Sequence, residues 1–154
     1  YLVNGEKIGD IKVQTSALRG ISDDGKMSAR LIDEYPILFV AASFAKGNTT
    51  FKGLDELKIK ESNRLSAMSE ALMKSGVKIE VRENSIKIFG NKTQPGGQKI
   101  STYKDHRIAM AMIIFGLVSQ KPVKIDEMKM IFTSFPSFYE LLRQIGAKIE
   151  KVPK

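Results

Sequence analysis

Three short runs of this sequence carry residue types that handle anions and protons. Lys58-Ile59-Lys60-Glu61-Ser62-Asn63-Arg64 sets cations on both sides of one carboxylate. Lys60 and Arg64 are four apart, so a helical turn would project them to the same side. The helix that the pattern predicts here begins near Ser62, and its N-terminus adds unpaired N–H groups and partial positive charge. Together these make an anion pocket with one carboxyl group, Glu61, able to exchange protons. The same run also fits a solvated helix start, and pattern alone favours that plainer reading.

Tyr103-Lys104-Asp105-His106-Arg107 runs directly into eleven apolar or Gly residues, 108–118. An N-cap needs only Asp105, which leaves His106 and Arg107 unaccounted for. Arg suits planar carboxylate or phosphate recognition, and His106 exchanges protons near neutral pH. The competing reading, an Arg107 paired with a nearby carboxylate and a satisfied surface His106, stands level with it. Asp33-Glu34-Tyr35-Pro36 is the third run, at the start of another predicted helix, where capping alone would explain Asp33.

The elements that must position these runs alternate between helix and strand. Ile11-Lys12-Val13 reads as a short strand, followed by a turn at Arg19-Gly20. A helix over 33–46 has Asp33 as its cap and Pro36 in its first turn, and Gly47 stops it. Thr49-Thr50-Phe51 resumes as a β-branched strand. Leu65, Met68 and Leu72 form the apolar stripe of a helix over 62–75 that Gly76 ends. Residues 77–81 and 86–89 alternate as the strands of a hairpin around Arg82-Glu83-Asn84-Ser85. Gln94-Pro95-Gly96-Gly97 is a loop, and no Gly-Lys-Ser/Thr follows to make it a phosphate loop. A helix over 105–119 is apolar nearly all round and is expected to be buried. Val123-Lys124-Ile125 is a strand. The helix after Ser134 carries Phe138, Leu141, Leu142 and Ile145 as its stripe and ends at Gly146.

The order recurs. Asp33, Thr49-Thr50-Phe51, Gly76 and Lys78-Ile79-Glu80 have counterparts at Asp105, Val123-Lys124-Ile125, Gly146 and Lys148-Ile149-Glu150, offset by about seventy residues. Ile11-Lys12-Val13 matches Ile86-Lys87-Ile88 in the same way. The chain therefore reads as α/β, two units and the end of a third: 1–20 as the tail of a preceding unit, 21–90 as the second and 91–154 as the third. The repeat puts Asp33 and Asp105 at corresponding helix starts, facing one end of the domain. Helix N-termini converging there would attract a phosphorylated or carboxylated ligand.

Composition narrows the classes. At 154 residues the chain has the size of one ordinary domain with a real core. Lys and Arg total 25 against 17 Asp and Glu, and the net charge of +8 predicts affinity for anions without saying which. The absence of Cys excludes disulfides and thiol catalysis within the chain, and a single His leaves a structural zinc site close to impossible. The longest apolar run is far too short to cross a bilayer, and no basic stretch followed by an apolar one opens the chain. No membrane partner is expected, and a cytoplasmic location fits. A first residue of Tyr rather than Met points to a piece of a longer protein.

Taken together, Lys60-Glu61-Ser62-Asn63-Arg64, Asp105-His106-Arg107-Ile108-Ala109-Met110-Ala111, Ser134-Phe135-Pro136, and Ile32-Asp33-Glu34-Tyr35-Pro36 with Gly47-Asn48-Thr49 resemble the C-terminal domain of the 5-enolpyruvylshikimate-3-phosphate synthase family. The resemblance covers nearly the whole chain, but well under half of the family's full length. It implies an inside-out αβ barrel of repeated βαβαββ units, three to a domain, here truncated. It implies transfer of the enolpyruvyl group of phosphoenolpyruvate to the 5-hydroxyl of shikimate 3-phosphate through a tetrahedral intermediate, with release of phosphate and no metal or organic cofactor. That reaction is a step of the shikimate pathway to chorismate and aromatic amino acids.

Carried over by motif, the resemblance makes Asp33 the acceptor of the hydroxyl proton and a holder of the shikimate ring. Glu61 becomes the acid that protonates the methylene carbon and later recovers the proton. Lys60 touches the 3-phosphate, Arg64 and Arg107 clamp phosphoenolpyruvate, and His106 joins the catalytic set in a supporting role. Thr133 stands where some members have Lys, and Asn63 where Asp or Thr is more usual. The family's active site lies between two domains, so the N-terminal domain is the implied partner, and the isolated piece is expected to lack useful turnover. The nearest rival is a UDP-N-acetylglucosamine enolpyruvyl transferase-like domain, which shares the fold; the Lys-Glu-Ser-Asn-Arg and Asp-His-Arg pairing speaks against it. A basic nucleic-acid-binding module rests on the +8 charge alone, with no stacking or base-reading motif. A non-catalytic remnant would bind another domain and neither substrate.

Overall fold

The computed structural model describes residues 2–150. The chain opens with a hairpin of β1 (Leu2–Val3) and β2 (Glu6–Lys7) around Asn4-Gly5, both at positive φ, the two-residue turn that Asn-Gly favours. There follow α1 (Ser28–Leu31), α2 (Tyr35–Phe44), β3 (Gly47–Lys52), a 3-10 turn at Asp55–Ile59, and α3 (Arg64–Lys74). β4 (Lys78–Arg82) and β5 (Ser85–Gly90) form a second hairpin, and β5 pairs with β3 as well, giving an antiparallel sheet in the order β3-β5-β4. The rest comprises β6 (Lys99–Ile100), α4 (His106–Val118), β7 (Lys124–Ile125), α5 (Lys129–Ser134) and α6 (Phe138–Gln144).

The two halves share one plan. Residues 19–22 bridge in parallel to 46–50 across α2, through Arg19 with Lys46 and Ser22 with Thr50. β6 runs parallel to β7 across α4, extended by a bridge from Gly96 to Lys121. Parallel strands need a crossover, and here each crossover contains a long helix. The order β-α-β-α-β-β therefore spans 19–90, and β-α-β-α spans 96–144.

Helices α2 and α4 pack against each other, and α3 packs on β4. An aromatic cluster anchors one side: Tyr35, Phe39 and Phe51 have ring centroids 5.5 to 5.8 Å apart. Phe44 of α2 meets Phe115 of α4 at 5.2 Å. Ile86 and Ile88 alternate with Lys87 along β5, burying the two isoleucines in the core. On the other face, Phe89 lies under the ammonium groups of Lys78 and Lys87, at 4.7 and 4.9 Å. Asn63 and Asp105 cap α3 and α4 through their side chains, and Gly76 at φ +93 lets the chain turn after α3.

Several expectations change. Ile11-Lys12-Val13 is not a strand: Ile11 and Val13 are 89% and 86% exposed, and no strand pairs with them among the described residues. Alternation alone forms no strand without a partner ladder. The first strands of the chain lie earlier, in the β1–β2 hairpin. The helix expected over 33–46 begins at Tyr35, so Asp33 is a turn residue and not a cap, and Glu34 stands at the N-cap without a side-chain capping bond. Pro36 does lie in the first turn, but Gly47 opens β3 rather than ending the helix. Helix α4 is buried only along part of its surface, with Leu117 and Val118 exposed. A short helix that the pattern did not announce, α5, stands before Pro136, which cannot continue it, and the helix expected after Ser134 is α6. Its stripe of Phe138, Leu141, Leu142 and Ile145 contains no buried residue. Lys148-Ile149-Glu150 forms no strand.

Gly90 ends β5 beneath the C-terminus of α2. A Cβ there would stand 2.2 Å from the Ala45 carbonyl oxygen and 2.5 Å from that of Ala42. These are backbone atoms that cannot rotate away. Gly90→Ala should lower stability by about 1–3 kcal/mol, the usual cost of overpacking, read as a lower denaturation midpoint. An unchanged midpoint would mean that α2 is not seated on the sheet as described.

Candidate active site

Arg64 opens α3 one residue after Asn63, whose Oδ1 accepts the Ser66 N–H at 3.1 Å and fixes the first turn. The position shares a helical face with Met68 and Leu72, both fully buried. The Arg64 side chain is accordingly only 1% exposed. A buried guanidinium needs acceptors for its donors, and three carboxylates supply them. Nε donates to Asp105 Oδ2 at 2.8 Å, Nη1 to Asp33 Oδ1 at 2.7 Å, and Nη2 to Glu61 Oε2. Asp105 is itself fully buried. Its Oδ1 accepts the Arg107 N–H at 2.9 Å, capping α4, while Ser62 Oγ donates to Oδ2 at 3.0 Å.

Arg107 reaches back from α4 to the turn before α2. Its Nη1 donates to the Asp33 carbonyl oxygen at 2.8 Å and to Glu34 Oε1 at 3.1 Å, and its Nη2 lies 3.8 Å from Asp33 Oδ2. Lys60 Nζ stands 3.9 Å from Asp33 Oδ1. Asp33, half-exposed, thus faces three cations. Its partial burial pushes the carboxyl pKa up, but the Arg64 hydrogen bond and the charges of Arg107, Lys60 and Arg64 outweigh that and hold it below the ordinary value. Burial pulls the Arg64 pKa down; the bond and charge of Asp105, with Asp33 and Glu61, more than reverse it. Both groups are charged at neutral pH.

The structure brings Asp33, Lys60, Glu61, Arg64 and Arg107 into one cluster. It does so by a different route from helical spacing: Lys60 is extended backbone after the 3-10 turn, and only Arg64 is helical. His106, the first residue of α4, is half-buried, and among the described residues its ring makes no hydrogen bond or ion pair with the cluster. Asp33 and Asp105 are not equivalent caps, yet both end on the same guanidinium. The expected anion-attracting face is also balanced, since Lys60, Arg64 and Arg107 stand against four carboxylates, Asp33, Glu34, Glu61 and Asp105.

Sequence reasoning took Asp105 as a cap only and passed over Ser62 and Glu34. The available signal was Arg64 on the apolar stripe of its own helix, four before Met68 and eight before Leu72. A cation placed there must be buried and must find carboxylates. Beside the cluster lies a groove of ≈ 200 Å³ whose lining includes Asp33, Arg107, Ile37, Met110, Ile114 and Phe135. The Ser134-Phe135-Pro136 run thereby reaches the site through Phe135, while Thr133 is exposed on α5.

Because Asp33 titrates lower in the folded chain than in the unfolded one, its contribution to stability is present above the ordinary aspartate range. That contribution disappears as pH falls through the folded value. Denaturant midpoints of the native chain and of Asp33→Asn should differ at neutral pH and converge as pH falls from about 5 through the lowered folded value of Asp33. Curves that stay parallel across that window would show that Asp33 is not held by the three cations.

The sequence profile of the EPSP synthase (3-phosphoshikimate 1-carboxyvinyltransferase) family matches residues 2–150. The 3-phosphoshikimate 1-carboxyvinyltransferase of Bartonella quintana is 45% identical over 151 residues, covering 97% of this chain and 34% of that protein. The same enzyme of Chelativorans sp. is 44% identical over 148 residues, with 95% and 33% covered. The chain thus spans about a third of the length of the curated relatives it matches. Among solved structures, the EPSP synthase of Acinetobacter baumannii superposes with a TM-score of 0.82 at 36% identity, over 87% of this chain and 32% of that one. The enolpyruvyl transferase NikO from Streptomyces tendae, at 18% identity and a TM-score of 0.60 over 77% of this chain and 26% of that one, shares the α/β fold. With the profile matched from 2 to 150, the chain belongs to the EPSP synthase family.

Proposed function

We propose that this chain is part of a transferase that moves the enolpyruvyl group of phosphoenolpyruvate to the 5-hydroxyl of shikimate 3-phosphate and releases inorganic phosphate. One observation carries the reading: in a chain of this family, Asp33, Lys60, Glu61, Arg64 and Arg107 meet in a single cluster beside a groove. The unit boundaries at 20 and 90 and a cytoplasmic location belong to the same reading.

Glu61 protonates the methylene carbon of phosphoenolpyruvate as the 5-hydroxyl oxygen attacks the adjacent carbon and Asp33 takes the hydroxyl proton. The product of that addition is a tetrahedral adduct. Glu61 then recovers a proton from the new methyl group, the double bond re-forms and the carbon–oxygen bond to phosphate breaks. The leaving phosphate carries off the proton that Asp33 took up. Asp33 suits its part because its carboxylate is ionised at neutral pH and half-exposed beside the groove. Glu61, also half-exposed, can turn from Arg64 toward a ligand. Lys60 and Arg107, each about a third exposed, are the cations available to phosphate and carboxylate oxygens. Arg64 works from behind, with its donors committed to the carboxylates. His106 supports the site through its place at the head of α4.

The three cations are already matched by carboxylates. Binding two phosphorylated substrates therefore requires further positive charge, which the other domain of the full enzyme would provide across the cleft. The test is to graft this chain in place of the matching third of the Bartonella quintana relative and to measure phosphate release. Release that requires both substrates, in the graft and not in the 154-residue chain alone, is the expected result; a folded graft that releases none would overturn the reading. Within an active graft, Glu61→Gln should lower kcat by about 10²–10⁴, the usual share of a proton-transfer group. Arg107→Lys should raise KM for phosphoenolpyruvate, since Lys cannot offer the forked donor.

A further inference from the structure

The turn that delivers Asp105 to Arg64 is held in a conformation its own residues disfavour. Tyr103 and Lys104 stand at φ +52 and +58, two successive non-glycine residues in the left-handed region. Such a turn persists only where its surroundings over-determine it. On its leading side, Thr102 is fully buried, and both its N–H (2.9 Å) and its Oγ1 (2.7 Å) donate to Asp126 Oδ1. Ser101 Oγ adds a bond to Asp126 Oδ2 at 3.2 Å. Asp126 follows β7, and its own N–H donates to the Ile100 carbonyl at 3.1 Å, so the carboxylate is rooted in the parallel β6–β7 pair. On the flank, Tyr103 Oη donates to Glu70 of α3 at 2.6 Å. On the trailing side, the Asp105 N–H closes back onto the Thr102 carbonyl at 2.9 Å.

We infer that Asp126 is a positioning residue of the site: through Thr102 it fixes the left-handed turn that aims the Asp105 carboxylate at Arg64 Nε. The inference rests on the proposed function only for its consequence in turnover. Its geometric content, the state of Arg64, is independent of any substrate. No other acceptor in the described residues serves the Thr102 N–H and Oγ1. Without Asp126, two buried donors are left open at the base of a turn already disfavoured, and the turn should relax toward ordinary backbone. Asp105 would then lose its alignment with Nε, and the guanidinium would open to water.

The exchange rate of the Arg64 Nε–H with solvent, read by 15N–1H spectroscopy on the 154-residue chain, tests this directly. In Asp126→Ala that proton should exchange at least about tenfold faster, while the amides of Thr49 and Ile88 in the β3–β5 ladder keep their protection. Asp126→Asn retains an oxygen where Oδ1 stands and should restore the slow rate. Thr102→Val, which removes only the hydroxyl bond, should give a smaller change in the same direction and carries the test if Asp126→Ala does not fold. An Arg64 Nε–H unchanged in Asp126→Ala, or lost only together with the ladder amides, would overturn the inference. In the grafted enzyme Asp126→Ala should lower kcat/KM, with recovery in Asp126→Asn. A graft inactive with its native Asp126 would sink the functional reading, while the exchange rate would still decide the role of Asp126.

Discussion

A guanidinium that cannot reach water sets the terms for this molecule. Arg64 is 1% exposed, and its Nε, Nη1 and Nη2 are engaged by Asp105, Asp33 and Glu61. Burying that charge without partners would cost several kcal/mol, so each carboxylate is held where Arg64 requires it. The three come from different places in the chain: the turn before α2, the run before α3, and the N-cap of α4. One side chain thus ties the helix starts of both halves to a common point. Among the described residues no buried side-chain nitrogen or oxygen lacks a hydrogen-bond partner.

The same constraint divides the work of the site. A fully engaged, buried Arg64 is a fixed charge that orients Asp33 and Glu61, whereas Lys60 and Arg107 retain exposed surface. The cluster carries as many carboxylates as an acid–base reaction needs and no surplus of positive charge. That balance fits the proposed function, in which the additional charge for phosphorylated substrates would come from another domain of the full enzyme. Asp33 is central, because every cation of the cluster acts on it.

Much of this was legible in the residues, but unevenly. Helix α3, the β4–β5 hairpin and the start of α4 followed from the Leu65, Met68 and Leu72 stripe, Gly76, alternation and Asp105, because their signals are local. The Lys-Glu-Ser-Asn-Arg and Asp-His-Arg runs marked the right neighbourhoods for the same reason. What failed depended on partners distant in sequence. Ile11-Lys12-Val13 alternates correctly and has no ladder to join, while the parallel pairs formed by 19–22 and 96–100 carry too few residues for a pattern. Asp33 looks like a cap until Arg64 and Arg107 are brought to it from thirty-one and seventy-four residues away. The pairing of Asp105 with Arg64 was hidden because an N-cap already explains an Asp at that position. The apolar stripe of α3, continued back to Arg64, was the one trace of it.

The most direct test of the account is a double-mutant cycle on the chain, with Arg64→Met, Asp105→Leu and the pair measured by denaturant unfolding. If Arg64 is the buried hub, Arg64→Met strands the buried Asp105 carboxylate and Asp105→Leu leaves the buried Arg64 Nε without an acceptor. Each change should cost about 3–5 kcal/mol, while the pair replaces both by apolar groups and costs markedly less than their sum. Additive losses, or single changes that leave the midpoint untouched, would contradict the claim that this ion pair organises the site.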